Sequence, residues 1–124
     1  MPNINDALAF YTQKMGFKEV IKQTSPQGEV TAAYIQISRD TFMELQLANA
    51  QRPAGLNHFG LQADNIEAAV AGFRQRGATA TDPGAPSAFT KARLANVTDP
   101  NGIRIELAEI GPDAVLRKAA DSWK

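Results

Sequence analysis

The chain of 124 residues repeats itself at an offset of 62, half its own length. Ile4, Ala7, Leu8 and Tyr11 are spaced i, i+3, i+4, i+7, and Ile66, Ala69, Val70 and Phe73 reproduce that spacing 62 positions on. Each set makes one apolar stripe on an amphipathic helix. Gly16 and Gly77 close the two helices, at a left-handed C-cap that suits a residue without Cβ. This glycine pair is one residue out of step. Asp64-Asn65-Ile66-Glu67 reads as a capping box opening the second helix. The repeat continues into strands: Met43/Ile105, Glu44/Glu106 and Leu45/Leu107 are again 62 apart, within the alternating segments 42–47 and 104–108. Both segments place aliphatic residues on one sheet face and a carboxylate on the other.

The rest of the pattern is strand and turn. Strands are expected over Lys18–Ser25 and Val30–Ser38, around the turn Pro26-Gln27-Gly28-Glu29. Further strands are expected over Leu56–Ala63, Ala78–Asp82, Arg93–Thr98 and 103–109, with Asp99-Pro100-Asn101-Gly102 as a turn before the last. Pro83–Lys91 reads as a long, mobile loop. The reading is one α+β domain with module one at 1–47, a polar linker at 48–55, module two at 56–110 and a C-terminal helix at 111–124. That helix has Val115, Leu116, Ala119 and Trp123 on its apolar side, with Trp123 as its anchor. Each module should run β-α-β-β-β, in paired units forming a cup-shaped mixed sheet. The first module lacks its opening strand, of which only Met1 remains. A truncated or misassigned start is the preferred explanation; a genuinely short chain, completed by water or a dimer partner, is the alternative.

Composition narrows the function. Hydrophobic residues are 44% and charged residues 21%, values of a folded globular chain. Thirteen basic and 13 acidic residues leave no net charge, so neither a nucleic-acid footprint nor a polybasic membrane anchor is expected. The absence of cysteine excludes disulfides, thiolate metal sites and cysteine nucleophiles. No apolar run approaches the roughly 20 residues that span a bilayer, and the N-terminus lacks the features of a secretory signal. A cytoplasmic protein is expected.

The chain has a single histidine, His58, in Leu56-Asn57-His58-Phe59-Gly60-Leu61-Gln62. By period two, His58 shares a face with Gly60 and Gln62, while Phe59 and Leu61 turn toward the helix. The polar face of 42–47 carries Glu44 and Gln46, and that of 103–109 carries Arg104 and Glu106. If the halves share one curved sheet, Glu44, His58 and Glu106 converge. Two carboxylates and an imidazole suit zinc, nickel, cobalt or manganese. The plainer reading is that a one-sided sheet is polar on its outer face. Phosphate-loop and nucleophile-elbow patterns are absent. Arg74 and Arg76 read as partners of the helix C-terminus. Lys91 and Arg93 read as a solvated strand end, or as contacts to an anionic ligand.

Asp6-Ala7-Leu8-Ala9-Phe10-Tyr11 with Met15-Gly16-Phe17, Asn57-His58-Phe59-Gly60-Leu61, and Asp99-Pro100-Asn101-Gly102-Ile103-Arg104-Ile105-Glu106-Leu107 together resemble the vicinal oxygen chelate superfamily over roughly residues 2–110. Its members include glyoxalase I, bleomycin and fosfomycin resistance proteins, and type I extradiol dioxygenases. The resemblance implies paired βαβββ modules around one divalent metal: zinc, nickel, cobalt or manganese, with iron behind them. By position it implies Glu44, His58 and Glu106 as metal ligands; the fourth, a His or Gln, would fall in the missing first strand. It also implies a homodimer.

Three functions follow from it. A metal-dependent lyase or isomerase resembling lactoylglutathione lyase would act through an enediolate-type intermediate on a small oxygenated substrate, with Glu106 first and Glu44 second as the catalytic proton carrier. Ala48, four residues after Glu44, argues against glutathione in the substrate. The alternative is a metal-free, bleomycin-resistance-like protein binding a drug or small molecule, with Glu44 and Glu106 pairing a cation and Phe42, Tyr34 and Phe89 stacking on it. An extradiol dioxygenase ranks below both, because its iron site needs more histidine than this chain has.

Overall fold

In the computed structural model, which describes residues 2–124, the chain is an α+β protein of two sheets and three α-helices. Met1, on which the reading of the missing strand rests, lies outside the described residues. The described residues form two compact units: residues 2–55 with 118–124, and residues 56–117.

The first unit opens with α1 (Ile4–Ala9), a π-helical turn (Phe10–Lys14), and the strands β1 (Lys18–Thr24), β2 (Val30–Ser38) and β3 (Thr41–Gln46). The strands form one antiparallel sheet in the order β1-β2-β3. The apolar stripe does what its period predicts. Ile4 and Leu8 are buried against Ala33, Ile35 and Leu45, with Ala7 and Tyr11 packed on the cluster. Asn3 caps α1, its side chain accepting from the Asp6 backbone N–H at 3.1 Å. Gly16 takes a positive φ of 74° after the π turn, and Tyr11 stacks on Phe17 with centroids 6.5 Å apart. Gln36 is fully buried, its amide nitrogen donating to the carbonyls of Arg39 and Ala119, each at 3.2 Å.

The second unit holds β4 (His58–Gln62), α2 (Ile66–Gln75), β5 (Thr79–Ala80), β6 (Arg93–Thr98), β7 (Arg104–Glu109) and the start of α3 (Val115–Asp121). Its sheet runs β4-β7-β6-β5, parallel between β4 and β7 and antiparallel elsewhere. Ile66 and Val70 of α2 bury against Ala95, Val97 and Leu107, with Ala69, Phe73 and Ile105 packed alongside.

Several expectations are corrected here. The N-cap of α2 is Asn65, not Asp64: its side chain accepts from the Ala68 N–H at 2.9 Å. Glu67 does not turn back to close a capping box, because Arg93 holds its carboxylate at 2.5 Å. The acceptor for the Ile66 N–H is Glu109, 43 residues away, at 2.8 Å. Phe59 and Leu61 are 52% and 47% exposed rather than packed under the helix. They lie on β4, the edge strand, whereas α2 covers their register partners on β7, Ile105 and Leu107. The loop at 83–91 is pinned. Gly84 N–H donates to Leu94 O at 3.0 Å, Ser87 N–H to Ala92 O at 2.9 Å, and Val115 N–H to the carbonyl of buried Thr90 at 2.9 Å. The terminal helix is shorter than expected, and Trp123 lies past its end, 41% exposed; Leu116 and Ala120 are its buried residues. No helix among the described residues is long and apolar enough to cross a membrane.

Candidate functional site

The parallel register of β4 and β7 sets His58 opposite Arg104 and Gly60 opposite Glu106. Alternation along each strand then puts His58, Arg104 and Glu106 on one face. His58 Nε2 stands 3.8 Å from Glu106 Oε2, and the two side chains are only 10% and 15% exposed.

Arg104 joins these groups. Its Nη1 lies 3.7 Å from Glu106 Oε2 and donates to Asn96 Oδ1 at 3.3 Å. Asn96 is in place because β6 sets it opposite Glu106. Arg104 Nη2 lies 2.7 Å from His58 Nδ1 and donates to Asn57 Oδ1 at 3.2 Å. Asn57 Oδ1 is itself 2.8 Å from the same Nδ1. Burial pushes the Glu106 carboxyl above its ordinary pKa, and the Arg104 guanidinium pulls against that rise without cancelling it.

Glu44 lies on β3 in the first unit. It shares a face with Gln46, whose amide nitrogen donates to Glu44 Oε1 at 2.9 Å, and its register partner on β2 is Tyr34. Of the three residues expected from sequence, His58 and Glu106 are brought together within the second unit, and Glu44 belongs to the first. Among the described residues, no group of three or more His, Cys, Asp or Glu side chains is gathered as a metal-holding cluster.

The other candidates have structural employment. Arg93 binds Glu67, lies 3.9 Å from Glu109 and donates to the Gly84 carbonyl at 3.0 Å. Lys91 is exposed and takes a positive φ of 60°. Arg74 reaches forward to the Ala80 carbonyl at 2.7 Å and Asp82 at 2.9 Å, while Arg76 lies over the Phe73 ring. Tyr34 and Phe42 share a face of the first sheet; Phe89 belongs to the second unit. Sequence reasoning missed the roles of Asn57 and Asn96, and saw Arg104 only as part of a polar face. The signal for Arg104 was there: it is two residues from Glu106 and, once the strands pair, directly beside His58.

The profile of the Glyoxalase/Bleomycin resistance protein/Dioxygenase superfamily matches residues 1–107. The chain belongs to this superfamily. It is 26% identical over 114 residues to the lactoylglutathione lyase of Salmonella typhimurium, covering 86% of this chain and 84% of that protein. It is also 26% identical over 117 residues to a probable chloroplastic lactoylglutathione lyase of Arabidopsis thaliana. That match covers 89% of this chain but a third of the plant protein's length. Among solved structures, the 2,3-dioxygenase LapB of Pseudomonas sp. KL28 aligns with a TM-score of 0.72 at 20% identity, over 89% of this chain and 39% of that one. Methylmalonyl-CoA epimerase of Mycobacterium tuberculosis aligns with a TM-score of 0.69 at 16% identity, over 90% and 83% of the two chains. At these identities the structural likeness speaks for the fold.

Members of this superfamily typically use a divalent metal, and two side chains of the second unit have the chemistry to contribute to such a site. A ring nitrogen and a carboxylate oxygen face each other in a largely buried place. A histidine that gives one nitrogen to a metal donates its other N–H to a carbonyl, carboxylate or water. Asn57 Oδ1 stands ready for that bond, 2.8 Å from Nδ1.

Proposed function

We propose that this superfamily member is a glyoxalase-like, metal-dependent lyase or isomerase acting on a small oxygenated substrate. The observation that carries the reading is the His58–Glu106 pair, 3.8 Å apart and largely withdrawn from water, with the carboxyl pKa raised by burial. His58 and Glu106 would hold the metal. A divalent metal bound there would offset the negative charge that develops on adjacent substrate oxygens. Glu106 would move a proton between neighbouring carbon atoms. A carboxylate with a raised pKa is a stronger base than one in water, and its conjugate acid is held closer to neutral pH. The likeness to lactoylglutathione lyases makes a hemithioacetal the first substrate to try, and Ala48 favours one without glutathione. A homodimer is part of this reading and is checked by sedimentation.

A second reading is a metal-free binder of small molecules. It is favoured by Arg104, whose guanidinium already serves as a cation beside His58 and Glu106. Elemental analysis of the purified chain beside Glu106→Ala separates the two. About one divalent metal per chain, lost in the variant, supports the enzyme and justifies a hemithioacetal isomerisation assay. No metal after incubation with excess zinc, nickel, cobalt or manganese sinks it and leaves the binding protein.

A further inference from the structure

His58 Nδ1 has two neighbours that make opposite demands on it. Arg104 Nη2, at 2.7 Å, can only donate, because a guanidinium has no acceptor. Asn57 Oδ1, at 2.8 Å, can only accept. A neutral imidazole carries one proton, so Nδ1 satisfies one of them at a time. With Arg104 donating, Nδ1 is bare and the proton sits on Nε2, the nitrogen that faces Glu106 Oε2. In that state Arg104 Nη2 also supplies the Asn57 oxygen, at 3.2 Å, so the amide is not left wanting. With Asn57 accepting from Nδ1–H, Nε2 carries a lone pair directed at the Glu106 side.

We infer that Arg104 and Asn57 are positioning residues that select the tautomer of His58: Arg104 holds the Nε2–H form, and Asn57 takes Nδ1–H when Nε2 is given to a metal. The metal half of this statement rests on the function proposed above; the tautomer half does not. Arg104 is therefore a competitor of the metal. It occupies Nδ1 in the sense that blocks ligation, and it also lies 3.7 Å from the Glu106 oxygen a metal would use. Its side chain is 40% exposed, so it has room to swing away.

The chain has one histidine, which makes the test direct: every imidazole signal in a nitrogen-15 correlation spectrum belongs to His58. The metal-free protein is measured at a pH where the ring is neutral. The wild-type chain should show the proton on Nε2. Arg104→Met should move it to Nδ1, Arg104→Lys should keep it on Nε2 by restoring a donor, and Asn57→Leu should leave it on Nε2. Backbone amide spectra establish that each variant is folded, and Arg104→Leu, which also lacks a donor, replaces the Met variant if that one is not. A wild-type ring protonated at Nδ1, or a ring unchanged in Arg104→Met, overturns the inference. Zinc titration then reads the metal half. Arg104→Met should bind on the order of tenfold tighter than wild type, as expected when a charged hydrogen bond no longer has to be broken. Asn57→Leu should bind roughly 10-fold or more weakly, the usual cost of losing a ligand's supporting partner. Zinc bound by none of the variants, with the ring shifts as expected, overturns the metalloenzyme reading and leaves tautomer selection standing. Zinc bound with the wrong ring shifts does the reverse.

Discussion

The two halves of this chain are built on one plan, and two of their differences are instructive. Asn3 and Asn65 cap helices with nearly the same backbone angles, φ −130° and −136°. Leu45 and Leu107 fill equivalent core positions, each 2% exposed. The first difference is a strand. The second unit has β4 paired in parallel to β7, while in the first unit β3 is the edge of a three-stranded sheet. Its consequence is chemical. Beside Glu106 stands an imidazole delivered by β4; beside Glu44 stands the amide of Gln46 from its own strand. One carboxylate position has become two different groups through what its neighbour supplies. The second difference is one residue at the end of the first helix.

The comparison is broken most severely through the cores. Leu45→Ala and Leu107→Ala should each cost about 2–5 kcal/mol, the range for removing a buried leucine. Denaturant unfolding of the two variants measures this. Equal losses mean that the three-stranded half packs as firmly as the four-stranded one; a much smaller loss for Leu45→Ala would mean that the three-stranded sheet holds its core more loosely. The caps come next. Asn3→Ala and Asn65→Ala should each cost about 1 kcal/mol. The second helix keeps one terminal bond in either case, because Glu109 accepts from the Ile66 N–H. Asn3→Ala should therefore fray its helix further than Asn65→Ala, which amide hydrogen exchange in the first turn of each helix would read.

Those variants also mark how far the sequence could be read. The 62-residue period predicted both helices and both buried stripes, and the strand-and-turn pattern predicted β2 and β6 with their observed bounds, because burial on one face is recorded residue by residue in the order of side chains. It also put His58, Arg104 and Glu106 on polar faces. What escaped it are the relations set by pairing across distance. Asp64-x-x-Glu67 matched a local cap pattern, but Arg93 and Glu109, brought in by β6 and β7, had already divided those bonds among themselves. Phe59 and Leu61 have the alternation of a covered strand, and alternation does not say whether the strand is at an edge. The competition at His58 Nδ1 depends on Arg104 lying opposite His58, which is a fact of register.

A smaller effect is read by pH at Glu106. The folded chain keeps the Glu106 proton to a higher pH than the unfolded chain, whose carboxyl titrates near the ordinary 4.5. The folded state therefore binds more protons in that window, and stability falls as pH rises through it. The Arg104 guanidinium facing the carboxylate reduces this penalty without removing it. Glu106→Gln has no charge to bury, so it should be more stable than wild type at neutral pH. The advantage should shrink on acidification and be gone below about pH 4.5, where wild type is protonated in both states. Melting curves across pH measure it. An advantage that persisted at low pH would trace to packing or hydrogen bonding instead of to the buried charge.

The smallest effect tests the residue by which the helices differ. From Tyr11 to Gly16 is one residue more than from Phe73 to Gly77, and the first helix takes it up as a π turn. The Met15 N–H reaches back five residues to the Phe10 carbonyl at 3.0 Å, where α2 ends on a four-residue span from Arg76 to Gly72. Both helices then finish alike: the N–H of Phe17 bonds the carbonyl of Tyr11, and that of Ala78 bonds Phe73, each at 3.0 Å. A π turn inside an α-helix is the usual trace of a single inserted residue, and the extra residue here falls where the side chains 13–15 are exposed. Deleting Gln13 should convert the turn to regular helix and bring the first glycine into step with the second. Because Ile4, Leu8 and Tyr11 precede the deletion, the buried stripe keeps its seat, and stability should change by no more than about 1 kcal/mol, the scale of surface changes in a helix. A loss of several kcal/mol would show that the π turn aims Phe17 at Tyr11 in a way the regular helix cannot, and the one-residue difference would then be a structural requirement of the first half.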